Sequence, residues 1–142
     1  MEHLAILDKR RKLLSKIISG EKTIESRWYM SKRVPWDRIK KEEVIYFKES
    51  GDLVRVRAVV AEVMQFYLPQ TNVPKLLEKY AQDICFNSPM PQLIQWCSER
   101  TYCILIRLKD VKRIDPFDID KKGFGMMAAW ITTKRITALK RT

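Results

Sequence analysis

The chain has 142 residues, a formal net charge of +11 and a pI near 9.7. That length fits one domain with a real core and leaves little room for two. A hydrophobic share of 46% excludes general disorder, and no apolar run reaches the length of a membrane span.

The N-terminus "MEHLAILDKRRKLL" has an early acid and a basic run after its apolar stretch, the reverse of a signal peptide. The three cysteines, Cys85, Cys97 and Cys103, are odd in number and lack close CxxC spacing. They read as buried thiols in a reducing cytoplasm, not as a disulfide framework or a structural zinc site. Basic residues recur from Lys9–Lys12 through Lys32–Arg33, Arg38–Lys41, Arg55 and Arg57 to Lys121–Lys122 and Lys140–Arg141. Spread this way, the charge predicts a folded surface with basic patches that meets a polyanion, nucleic acid first.

In chain order, "HLAIL" reads as a short apolar strand. "DKRRKLLSKIISG" reads as a helix capped by Asp8, with Leu13, Leu14, Ile17 and Ile18 as its apolar stripe. Gly20 falls where a left-handed C-cap belongs, so "EKTIESRWY" starts after a helix stop and suits a strand. "SKRVPWDRIKKEE" is a polar loop, "VIYFK" a short buried strand and "ESGD" a turn. "LVRVRAVVAEVMQFY" is a long strand that alternates at first, with Val54, Val56 and Ala58 on one side and Arg55 and Arg57 on the other. Apolar residues on both faces from Val59 to Val63 predict that it becomes enclosed. "NVPKLLEKYAQDI" and "PMPQLIQWCSER" read as two helices started near prolines. "TYCILIRLKDVKRI" is another strand, "DPFDIDKKGFGMMAAW" is irregular, and "ITTKRITALKRT" is a last strand or a helix.

Helices do not separate the strands regularly, which argues against a doubly wound parallel sheet. The expected fold is mainly β with flanking helices, an α+β chain forming a small mixed-strand pseudo-barrel. Residues 1–142 form one domain, with a helical insertion at about 68–100.

No GxxxxGK[ST], GxGxxG or HExxH motif occurs, and no cofactor is implied. His3 is the single histidine, a poor base for a catalytic triad or a histidine metal site. Glu25, Glu62, Asp118 and Asp120 are the carboxylates that a magnesium site would need to converge. Strand alternation puts Lys22, Ile24, Ser26 and Trp28 on one side of "KTIESRWY" and Thr23, Glu25, Arg27 and Tyr29 on the other. Glu25 and Arg27 then pair or share a ligand, and Lys22 sits at the mouth, free to turn to either side. Trp96 and Trp130 read as core, Met126 and Met127 as packed, and Phe124 between Gly123 and Gly125 as a cleft rim or a tight bend.

"SGEKTIESRWYMSKRVPWDRI", followed by "VIYFKESG", resembles the ASCH domain family, whose signature is G-x-K-x-x-E-x-R after the first helix. It is matched by Gly20, Lys22, Glu25 and Arg27. Pro35-Trp36 and Phe47-Lys48 resemble a bacterial and archaeal subgroup. The resemblance is firm over residues 3–66. It implies a PUA-like fold and binding of RNA or a nucleotide, with DNA second, in a cleft walled by the signature. Lys22 and Arg27 supply donors to phosphate or a carbonyl oxygen, and Glu25 accepts from a base amine. Trp28, Tyr29 or Trp36 stacks on an unpaired base, and Lys48 points into the same cleft.

A related branch hydrolyses acetylated cytidine with a lysine, a threonine and a later carboxylate. Lys22 matches the lysine, but Glu25 stands at the threonine's position, and a gapless alignment puts Ile84 at the carboxylate's. Other relatives cut single-stranded RNA with a metal. An enzymatic version of the site makes Glu25 the general base and Lys22 the electrophile.

Overall fold

The computed structural model describes residues 1–121, 123–125 and 127–141. Apolar alternation builds six strands: β1 (Glu2–Leu7), β2 (Ile24–Tyr29), β3 (Val44–Glu49), β4 (Val54–Tyr67), β5 (Tyr102–Phe117) and β6 (Trp130–Thr133). They form one sheet in the order β2-β5-β4-β3-β1-β6. β1 and β3 run parallel, and every other neighbouring pair is antiparallel. Bulges in the long β4–β5 pair shift the register three times. Such shifts bend and twist strands, and the mixed sheet curls into a half-barrel.

One face carries the main core, in which Ala5, Ile45, Phe47, Val56, Ala58, Val60, Ile104 and Ile106 are fully buried. The other face carries two separate cores. One, at the β2–β5 end, lies under the helices α2 (Val73–Ile84) and α3 (Met90–Ser98). The other, at the β1–β6 end, holds Leu4, Tyr46 and Ile131 under Ile119 and Ile136 of the C-terminal segment.

Asn72 starts α2 by accepting a hydrogen bond from the Lys75 amide at 3.1 Å. Leu76 and Leu77 face the sheet, and Cys85 ends the helix in a left-handed conformation. Leu93 and Cys97 give α3 its buried stripe.

Four expectations are corrected. The first helix, α1, runs only over Leu13–Ser19. Asp8 caps a separate 3-10 turn at Lys9–Arg11, and Lys12 (φ 54°) breaks the path between them. Gly20 (φ 84°) does close α1, its amide donating to Ile17 O at 3.2 Å. Val54 packs with Tyr46, whereas Val56 and Ala58 lie in the main core, because a bulge separates Val54 from Val56. The Val59–Val63 stretch is not enclosed: Glu62 is exposed and Val59 and Val63 are half-buried. The chain end is both things in turn, β6 and then a 3-10 turn at Ile136–Leu139.

Candidate nucleic-acid interface

Lys22 lies in the short link between Gly20 and β2. It is 2% exposed, so its expected place at the mouth is corrected. Its Nζ donates to Ile24 O at 2.7 Å and to Ile84 O at 2.8 Å, and lies 3.5 Å from Glu25 Oε1. Burial lowers its pKa and Glu25 opposes the shift. Two carbonyls and a carboxylate are surroundings suited to the ammonium form.

Glu25, on β2, is 3% exposed. Oε1 also accepts from the Ser26 amide at 2.9 Å, and Oε2 lies 3.4 Å from Arg27 Nη2. Burial alone pushes the carboxyl up, but the Lys22 ammonium and the Arg27 guanidinium outweigh it and hold its pKa below the ordinary value.

Arg27 carries the chain of charges across the molecule. Nη2 donates to Ile6 O and Nη1 to Ala129 O, each at 3.3 Å. The guanidinium lies 5.1 Å from the centroid of Trp130. Its Nε is buried without a hydrogen-bond partner among the described residues. Behind Trp130, His3 is fully buried between Thr132 Oγ1 (3.0 Å) and Glu43 Oε1 (2.8 Å), a structural pairing.

Ala129 and Trp130 line a cleft of about 420 Å³. Tyr29, Arg33, Phe124 and Thr132 face it as well. Arg33 is exposed and lies 5.8 Å from the Tyr29 ring centroid. Burial raises the Tyr29 pKa, with Arg27 and Arg33 pulling the other way. Phe124 is 38% exposed, which places it on the rim.

The structure therefore joins Lys22, Glu25 and Arg27 as a buried buttress behind the cleft wall. Trp28 lies on the opposite face, where Nε1 donates to Ser26 Oγ at 2.9 Å and the ring meets Phe86 and Trp96. Trp36 packs against the main core, edge-on to Tyr102 at 4.9 Å. Lys48 lines a different groove and does not point into this cleft. Trp130 is core as expected, but Trp96 is 42% exposed. Met127 is 94% exposed and does not pack, and Met126 lies outside the described residues.

Sequence reasoning passed over Arg33 as one charge in a basic run. Its distance from Tyr29 across the loop was the missing signal. Glu25, Glu62, Asp118 and Asp120 do not converge, and no group of three or more potential metal ligands occurs among the described residues. Ile84, at the position of the acetylcytidine branch's carboxylate, does sit beside Lys22, but it offers only its backbone carbonyl.

This curled mixed sheet with helices packed outside is the architecture of the ASCH domain, a PUA-like pseudo-barrel. The crystal structure of the ASCH protein from Zymomonas mobilis superposes with a TM-score of 0.68 at 17% identity, over 99% of this chain and 96% of that one. Two mutants of that protein superpose at 0.68 and 0.69, both at 18% identity over 99% of this chain, covering 99% and 96% of theirs. No protein-family model and no curated protein sequence matches the chain. No helix among the described residues is long and apolar enough to cross a membrane.

Proposed function

We propose that the protein binds single-stranded RNA in the cleft between Tyr29, Arg33, Phe124 and the Ala129–Trp130 wall. The observation that carries this reading is the anchored chain Lys22–Glu25–Arg27, which fixes that wall through Ala129 O and the Trp130 ring. Arg33 offers donors to a phosphate, and Tyr29 and Phe124 offer ring faces to an unpaired base. The net charge of +11 supplies long-range attraction for a polyanion.

In this reading Lys22 and Glu25 are positioning residues, and Arg27 transmits their order to the cleft. Trp28 and Trp36 pack on opposite faces of the sheet and support it, and Lys48 contributes a second contact. The enzymatic version is disfavoured because a general base must reach water. Glu25 is 3% exposed with both oxygens engaged, and two carbonyls occupy Lys22 Nζ. The three free cysteines support an intracellular setting.

The test is fluorescence anisotropy with a labelled single-stranded RNA over a salt series, with DNA of the same sequence in parallel. Affinity is expected to fall linearly on log–log axes as salt rises, with RNA bound at least as tightly as DNA. Arg33→Ala is expected to lower the salt slope by roughly 0.7, the value of one phosphate contact on a single strand. Salt-independent binding, or binding indifferent to Arg33→Ala and Phe124→Ala together, would remove this cleft as the site.

A further inference from the structure

Lys48 is the second-last residue of β3, at an alternate position to Tyr46 and so opposite Phe47 and the main core. It is 8% exposed. Its ammonium has no hydrogen-bond or ion-pair partner among the described residues. It lines a groove of about 630 Å³ together with Asp52, Asp118, Asp120, Lys121 and Arg141.

The carboxylates of this groove leave Lys48 unneutralised. Asp118 Oδ2 lies 3.0 Å from Arg141 Nε, and its Oδ1 accepts from the Ile119 amide. Asp52 Oδ1 lies 3.1 Å from Arg55 Nη2 and accepts from the Leu53 amide. Asp120 is exposed at the rim. None comes within ion-pair distance of Lys48. Lys121 donates to Ala128 O at 2.9 Å, and its pKa is lowered by burial and then by the nearby positive charge of Lys48. Like charges side by side in a groove attract an anion.

The Lys48 side chain is nine-tenths buried and its unpartnered ammonium ends at the groove, so an anion arriving there adds stability. We propose that the Lys48 groove seats a phosphate group, with Lys48 as its central contact and Lys121 and Arg141 at its sides. Three cationic side chains lining one groove suit the multiple oxygens of a phosphate.

The source follows from continuity. A third groove of about 330 Å³ shares Lys121 with this one, and Ala128 and Ala129 with the Tyr29–Arg33 cleft. That shared lining offers a strand of RNA leaving the cleft along residues 128–129 a path toward Lys48, where a backbone phosphate fills the seat. That source rests on the proposed RNA binding. The phosphate seat itself rests only on the Lys48 groove.

Two measurements separate the two ideas. The first is the salt dependence of single-stranded RNA binding by wild type, Lys48→Gln and Lys48→Arg. Lys48→Gln is expected to lower the slope by roughly 0.7, and Lys48→Arg to restore it. The second is the rise in melting temperature that millimolar inorganic phosphate produces over chloride at equal ionic strength. That rise is expected in the wild type and lost in Lys48→Gln. Lys48→Met keeps the buried stem and serves as a second folded variant, checked by circular dichroism. A phosphate effect that depends on Lys48 without any RNA binding upholds the seat, assigns it to a free phosphate or nucleotide and rejects the RNA reading. RNA binding and phosphate stabilisation that are both unchanged in Lys48→Gln overturn the seat and leave the RNA reading standing.

Discussion

Glu25 is wedged between two cations, its Oε1 3.5 Å from Lys22 Nζ and its Oε2 3.4 Å from Arg27 Nη2. All three charges are largely withdrawn from water, so each depends on the others. Glu25→Ala leaves the Lys22 ammonium buried with only carbonyls to face. It is expected to cost about 3–5 kcal/mol, read as a drop in the urea midpoint. Lys22→Met leaves Glu25 its Arg27 partner and costs less. The double mutant Lys22→Met/Glu25→Ala is expected to be milder than the sum of the singles. Additive losses in that cycle mean the pair is not coupled.

The same carboxylate sets a pH dependence. Burial acts to raise the pKa of Glu25, but Lys22 and Arg27 prevail and hold it below its unfolded value. The unfolded chain therefore binds the proton more readily. This contribution is complete above the unfolded value and is lost as the pH falls through the folded one. Asp8, Glu42, Glu43 and Asp52 are lowered too, so the acid limb of the wild type is composite. Glu25→Gln isolates one share. The stability gap between it and the wild type is expected to narrow as the pH drops from about 6 towards 3, across the ordinary carboxylate range. A gap that stays constant contradicts an ionised Glu25 in the folded protein.

The cysteines differ in the fold although they look alike in the sequence. Cys97 and Cys103 are fully buried; burial pushes the Cys97 thiol up to about 12 and the Cys103 thiol higher still. Cys85 is half-buried at the end of α2, which corrects the expectation of three buried thiols. Burial raises its pKa as well, with Lys22 opposing. A thiol-reactive dye near pH 8 is expected to label one cysteine slowly in the native protein and all three in denaturant. Mass spectrometry is expected to place the native label on Cys85. Rapid native labelling of Cys103 contradicts the packing beneath α2 and α3.

Alternation and helix stops carried most of the strand order, because one-sided burial leaves a period of two in Val56–Val60 and a glycine marks the end of α1. Bulges escaped, since nothing in "VRVRAVV" marks the residue at which two oppose one. The signature drew attention to Lys22, Glu25 and Arg27 as charges, and charges on a basic chain read naturally as surface. Only the tertiary contacts of Lys22 with Ile84 O, and of Arg27 with Ile6 O and Ala129 O, turn them inward. Those acceptors are backbone carbonyls 62, 21 and 102 positions away. Carbonyls carry no residue identity, so the sequence holds no mark of them.

Arg27 joins β2 to the cleft wall by shape as much as by charge. One guanidinium meets Glu25, Ile6 O and Ala129 O while lying over Trp130. A lysine has one nitrogen and no flat face, so it cannot reproduce that set. Arg27→Lys is expected to destabilise by about 1–3 kcal/mol, the usual cost of a buried acceptor or charge left unsatisfied. The damage is expected to localise. Ile6 N donates to Ala129 O at 2.9 Å, the carbonyl that Arg27 also holds. Hydrogen exchange at Ile6 is therefore expected to accelerate more than at Ile106, which is fully buried in the main core. RNA affinity is expected to weaken alongside it although the net charge is unchanged. Faster exchange at Ile6 with unaltered RNA binding separates the wall from the cleft and rejects the buttress role.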